Sequence, residues 1–182
     1  GTEGFGSIPF DGVILAHSNE SEWQQFRNNK TNEAFLDRVY IVKVPYCLRV
    51  SEEVKIYEKL LEHSSLYKAP CAPGTLNMMA QFSVLTRLKE PANSNLFSKM
   101  RVYDGENLKD VDPHAKPIQE YRDQSGPDEG MNGSSTRWAY KVLSKVFNFD
   151  HHEVAANPVH LLYVLEQQVV KDNLPEEQAR KY

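Results

Sequence analysis

The chain has 182 residues, 40% of them hydrophobic, with 21 Lys and Arg against 25 Asp and Glu for a formal charge of −4. That length fits one ordinary domain or two small ones, with apolar residues enough for a core. The acid excess argues against a nucleic-acid protein held by bulk electrostatics, but leaves room for a local basic site for phosphate. Cys47 and Cys71 make no metal-like spacing, and read as two buried or half-buried thiols in a reducing compartment. No basic stretch leads into an apolar h-region, and no apolar run approaches about 18 residues. The expectation is a soluble cytosolic protein without a membrane partner.

Residues 1–9 are Gly-rich and end at Pro9, which predicts a loop. Residues 13–16 form a continuous apolar run, the pattern of a strand covered on both faces. Ser18 or Asn19 can cap a helix over 19–29, with Glu22 placed for a capping box if Asn19 is the N-cap. A polar break and a short helical turn at 34–37 follow. Residues 39–44, VYIVKV, predict a second buried strand, closed by Pro45.

From residue 51 the pattern turns helical. SEEVKIYEKLLEHS has Ser51 as candidate N-cap, acids in its first turn, and Val54, Tyr57, Leu60 and Leu61 on one face. GTLNMMAQFSVLTRLKEP predicts a second helix, whose Leu76, Met78, Met79, Phe82 and Leu85 read as core. Residues 92–133 are polar and punctuated by Pro and Gly. Asp104-Gly105 predicts a turn between short extended pieces, and 114–123 one helical stretch. The segment exceeds a plain connection, so it reads as a functional insertion or a mobile segment. Ser134 or Ser135 then caps a helix with Trp138, Val142, Leu143 and Val146 inward. Asn157-Pro158 starts a last helix with Leu161, Leu162, Leu165 and Val169 inward. The charged tail after Leu174 is expected to fray.

The fold class that follows is mainly α with a small α/β remnant. Residues 1–50 read as the end of an α/β core, and residues 51–182 as a helical subdomain with an insertion at 92–133. Two strands, each apolar on both faces, do not make a domain. The first half of the α/β core is therefore expected to lie outside this sequence.

Familiar catalytic motifs are absent. There is no G-x-x-x-x-G-K-[ST], and the Gly-rich stretches GTEGFGS and EGMNGSST lack its lysine. H-E-x-x-H, C-x-x-C, G-x-S-x-G and the kinase H-R-D and D-F-G signatures are missing too. His151-His152-Glu153 resembles a metal pair. Adjacent helical residues point roughly 100° apart, however, so they read as solvated residues and no metal is expected.

Three polar residues fall at element boundaries. Asn19 ends the first predicted strand, Arg38 precedes the second, and Arg137 sits in the first turn of a helix. An Asn amide can orient a water beside a phosphate, and an Arg offers a planar charged fork to phosphate oxygens. An Arg at a helix start opposes the macrodipole, so Arg137 calls for a compensating role. Singly, each also reads as structure: a cap for Asn19, surface charges for the two arginines.

The order strand–Asn, AFLDR before a strand, then GSSTR opening a helix resembles the second half of an AAA+ ATPase module. PFDGVILAHSNESEW, NEAFLDRVYIVKVPYCLRVSEEVKIYEKLL, APGTLNMMAQFSVL, SKMRVYDGENLKD, DEGMNGSSTRWAYKVLS and EVAANPVHLLYVLEQQ resemble the PrkA-type bacterial serine protein kinases over residues 1–170. The resemblance implies a larger parent, an AAA+ module followed by a kinase-like domain, using ATP and Mg on a protein substrate. Asn19 would be its sensor 1, orienting the attacking water. Arg38 would be an arginine finger acting on a neighbour's nucleotide, which requires a homo-oligomer. Arg137 would be sensor 2, reaching the γ-phosphate from a helical lid. The Walker A and B segments are expected before residue 1 and the kinase-like region after residue 182. This stretch alone is therefore expected to be inactive and to bind no ATP tightly. Two alternatives stay open: an ATP-driven remodelling or proteolysis-linked AAA+ protein, and a non-enzymatic helical interaction module.

Overall fold

The computed structural model describes residues 11–149 and 155–172, and the chain divides into two compact units, residues 1–43 and 44–182. The Gly-rich start and His151-His152-Glu153 lie outside the described residues.

In the first unit, α1 (Glu20–Asn28) is followed by a 3-10 turn (Lys30–Asn32) and α2 (Glu33–Leu36). Asn19 is the N-cap of α1: its side-chain oxygen accepts from the Glu22 N–H at 2.8 Å and the Ser21 hydroxyl at 2.9 Å. The cap satisfies a helical N–H that has no intrahelical partner. No reciprocal bond from the Glu22 carboxylate joins it among the described residues, so the expected capping box is half made. Trp23 stacks on Phe26, whose ring meets Phe35 edge-on at 5.5 Å.

The two predicted strands do not form. Residues 13–16 and 39–44 carry no regular structure, and Val13, Leu15 and Tyr40 are 86%, 92% and 90% exposed. A strand needs a neighbour for its N–H and C=O groups, and an apolar strand needs a covering layer. Neither run meets such a neighbour among the described residues.

The second unit holds α3 (Val50–Glu62), α4 (Thr75–Arg87), α5 (Leu96–Tyr103), α6 (Ile118–Ser125), α7 (Thr136–Phe147) and α8 (Pro158–Lys171). Helix α4 packs against α3, α5, α7 and α8, while α7 pairs with α8 and α5 with α6. This central position explains why α4 is buried nearly all round, with Met79, Ala80, Ser83, Val84 and Leu85 inside. Its neighbours each offer a stripe: Tyr57 and Leu61 from α3, Val142, Leu143 and Val146 from α7, Leu161, Leu165 and Val169 from α8. Fully burying a side chain of this size contributes about 1.5–3 kcal/mol. Leu60 and Leu162, expected inside, lie outside, and Glu53 and Gln168 take buried places instead.

Two caps were legible. Ser135 caps α7 and Asn157 caps α8, with Pro158 at its first position. The start of α3 differs from expectation. Arg49 is its N-cap and caps with no side-chain bond. Ser51 instead gives its N–H and hydroxyl to Asp104 Oδ1, at 2.9 and 2.7 Å. A carboxylate 53 positions along the chain thus serves the helix start.

That contact belongs to a larger correction. Residues 96–103 form α5 where short extended pieces were expected, and Leu96, Met100, Tyr103, Leu108 and Tyr121 are buried. The 92–133 segment is packed into the core. Its polar residues fold over few apolar anchors, so periodicity alone could not show it. The loop ending the segment presses on α4. Gly133 has φ 102°, and a Cβ there would lie 2.5 Å from the Thr86 carbonyl oxygen. Only glycine allows that approach.

Candidate functional site

Asn19 and Arg38 belong to the first unit, Arg137 to the second. Asn19 acts locally as a cap. Arg38 lies exposed just after α2, its backbone N–H bonded to the Phe35 carbonyl at 3.0 Å. Arg137 is the second residue of α7, with an exposed side chain.

The surroundings of Arg137 are built from three segments. Ser135 accepts the Trp138 N–H at 3.1 Å and so ends the α7 backbone cleanly. The Thr136 hydroxyl reaches Glu53 Oε1 at 3.3 Å. Glu53, from the first turn of α3, pairs with Arg87 at 2.8 Å, and both side chains are fully buried. The Arg87 fork donates further to the Ser134 carbonyl through Nε and to the Cys47 carbonyl through Nη1, both at 2.8 Å. Its guanidinium sits 5.1 Å from the Tyr46 ring centre. Among the described residues, Glu53 Oε2 is buried with no hydrogen-bond partner. The carboxylate lies against the positive end of α7, which favours its charge. Nearby, the Tyr57 hydroxyl donates to Ser83 at 2.9 Å. Burial, with the Glu53 charge adding to it, pushes the Tyr57 phenol well above its ordinary range.

A second buried ion pair holds the 92–133 segment. Lys99 Nζ donates to Glu129, to the Ser125 hydroxyl at 2.6 Å and to the Lys89 carbonyl at 2.9 Å. Tyr103 donates to the other Glu129 oxygen at 2.6 Å. Burial pushes the Lys99 ammonium below its ordinary range, while Glu129 draws it back up. Desolvation, with the Glu129 charge adding, raises the Tyr103 phenol.

The Ser125–Lys99 contact has the composition of a Ser-Lys nucleophile pair, but not its chemistry. Such a pair needs a lysine free to take the serine proton. Here the Lys99 amine donates to Ser125 itself and to two further acceptors, so it offers the serine no base. Ser125 is buried and spends its own proton on the Tyr121 carbonyl. A groove of about 750 Å³ between α7 and α8 is lined by Lys141, Lys145 and Lys171, among others. Arg137 is not part of it. No group of His, Cys, Asp and Glu among the described residues could hold a metal ion. Among them, too, no helix is long and apolar enough to cross a membrane.

Sequence reading missed Glu53, Arg87, Lys99 and Glu129. Glu53 passed for a first-turn acid, and Arg87 was not singled out. One signal was available: Arg87 falls in the row of buried α4 residues between Val84 and Leu88. A charge in such a row calls for a partner.

Two family models match the chain. Residues 1–95 match the PrkA AAA domain, and residues 97–182 match the PrkA serine protein kinase C-terminal domain. The chain is 72% identical over 182 residues to the serine/threonine kinase YeaG of Escherichia coli strain K12, covering 100% of this chain and 28% of that protein. The O157:H7 protein of the same name gives the same figures. The ATP-dependent protease PrkA of Bacillus subtilis is 44% identical over 142 residues, 77% of this chain and 22% of that protein. No solved structure matches. The chain thus spans 28% of the length of the Escherichia coli relatives. The C-terminal-domain match begins at residue 97, which corrects the expectation that this region starts only after residue 182. The boundary between the two family models falls inside one core: Val84 and Leu88 before it, Leu96 and Met100 after it, share one buried cluster.

Proposed function

Because the chain belongs to the PrkA serine protein kinase family, we propose that it supplies the sensor and lid part of an AAA+ module in a longer protein that moves phosphate from ATP to protein serines or threonines. The observation that carries the reading is the match of residues 1–95 to the PrkA AAA domain, beside 72% identity to a serine/threonine kinase. In this reading residues 13–16 and 39–44 are the last strands of an α/β core. Their exposed apolar side chains suit a sheet completed by chain outside this sequence. The helical unit from residue 44 carries the lid, and it shares its core with the stretch from residue 97 that matches the PrkA C-terminal domain.

Asn19 then orients the attacking water, Arg137 reaches the γ-phosphate from α7, and Arg38 acts on a neighbouring subunit's nucleotide. ATP with Mg is the cofactor of the intact protein, a homo-oligomer its working form, and the cytoplasm its setting. Since the residues that would cradle the β- and γ-phosphates are not in this chain, the 182-residue chain alone shows no saturable heat when titrated with micromolar Mg-ATP. A calorimetric isotherm with micromolar affinity would show that the phosphate site has been misassigned.

The name of the Bacillus subtilis relative favours a second reading, ATP-driven proteolysis. The Ser125–Lys99 contact does not serve it, because Ser125 is buried and gives its proton to the Tyr121 carbonyl. Mass spectrometry of candidate protein substrates incubated with the full-length protein and ATP separates the two. The kinase reading expects phosphoserine or phosphothreonine on intact substrate. Cleaved peptides without phosphate would sustain the protease reading instead.

A further inference from the structure

The structure assigns Glu53 and Arg87 as positioning residues for Arg137, fixing the start of α7 against the start of α3 and the end of α4. This rests on the reading of Arg137 as the residue that meets the γ-phosphate.

The geometry is specific. Arg87 ends α4 and spends its three donor positions on three separate segments: the Cys47 carbonyl, the Ser134 carbonyl and the Glu53 carboxylate, each at 2.8 Å. Ser134 lies just before the Ser135 cap, and Thr136 after the cap bonds Glu53. The first turn of α7 is therefore tied on both sides of its cap. Arg137 follows Thr136, so the direction in which its backbone presents the guanidinium is set by that tie.

Stability alone does not account for the pair. A fully buried ion pair is weak evidence of stabilisation, because apolar replacements of similar volume often hold a core as well or better. What an apolar pair cannot supply is direction. A planar fork with fixed donors holds three carbonyl or carboxylate oxygens at defined angles, and a lysine point charge does not. The tie also joins α7 to residues 46–47, since Arg87 bonds the Cys47 carbonyl and lies over the Tyr46 ring.

The test is a double-mutant cycle on ATP turnover by the full-length protein. Glu53→Gln keeps the size and one acceptor oxygen of the side chain but removes its charge. Arg137→Ala removes the residue to be positioned. Glu53→Gln is expected to lower kcat roughly tenfold when Arg137 is present, an effect of the size seen for remote coupled residues. In the Arg137→Ala background the same change is expected to have no further effect. An equal loss in both backgrounds overturns the inference, because a merely structural defect lowers activity regardless of Arg137. So does full activity of Glu53→Gln while Arg137→Ala is impaired. Full activity of Arg137→Ala would instead overturn the reading of Arg137, and the inference with it. Thr136→Val, which deletes one surface-side hydrogen bond and leaves the ion pair whole, runs the same cycle if Glu53→Gln fails to fold.

Discussion

Arg38→Ala in the full-length PrkA-type protein is expected to lower ATP turnover by about 10³-fold, the scale on which an arginine finger acts, with ATP binding largely kept. The exposed guanidinium after α2 suits a residue that works on a neighbouring subunit and not on its own. Charge stabilisation in the transition state is what a finger adds, so the loss falls on kcat and not on KM. Arg38→Lys does not restore the rate, since a lysine point charge does not match the planar fork. Mixing subunits gives the decisive readout. Arg38→Ala subunits lack the finger but keep Asn19, and Asn19→Ala subunits lack the sensor but keep the finger. If Asn19 is the sensor and Arg38 the finger, mixed oligomers are expected to regain activity that neither parent shows, because some sites combine both intact residues. Unchanged turnover in Arg38→Ala sinks the finger assignment, and no recovery on mixing sinks its action in trans.

Glu129→Leu in the 182-residue chain is expected to cost about 3–5 kcal/mol of stability, because it strands the Lys99 ammonium among buried groups. For a chain of this size that lowers Tm by roughly 10 °C or more. Three donors lose their acceptor at once: Lys99 Nζ, the Tyr103 hydroxyl and the Lys89 N–H. Glu129→Gln keeps an acceptor for them and loses mainly the charge, so it is expected to cost less than Glu129→Leu. Lys99→Met together with Glu129→Leu removes both charges and is expected to recover part of the loss, leaving the tyrosine and backbone partners unmet. Thermal melts of the four proteins check the series. A Glu129→Leu melting within a degree or two of the original would show that the 92–133 segment is not held by this pair.

The sign of the pH effect follows from Lys99. Its folded pKa is lowered, chiefly by burial, so above that lowered value the unfolded chain binds more protons than the folded one. Its contribution to stability therefore rises with pH through that window and levels off near its ordinary value of 10.5.

Local chemistry made several elements legible. Asn19, Ser135 and Asn157 are short polar caps whose oxygens reach an N–H in the next turn; Asn157 caps as read, and the structure picks Asn19 over Ser18 and Ser135 over Ser134. The apolar spacing of α3, α4, α7 and α8 fixed where those helices run, since a helix repeats its face within a few residues. Those signals are contained in the segments themselves.

What lies between segments was not legible. Residues 13–16 and 39–44 have strand composition, but a strand exists only when a neighbour takes its hydrogen bonds, and composition cannot supply one. The polar segment at 92–133 resembled an insertion because its burial rests on Lys99, Glu129, Ser125 and Tyr103 meeting one another across up to 30 positions. Glu53 likewise reads as one of the acids of a first helical turn, and its partner Arg87 is known only once α3, α4 and α7 pack over the pair. Residue patterns sufficed for the family resemblance, for the runs of α3, α4, α7 and α8 and for the caps of α1, α7 and α8, but not for α5 or the start of α3. Which charges are buried, and what they hold, follows from packing, because a buried charge is defined by partners that the chain brings from far away.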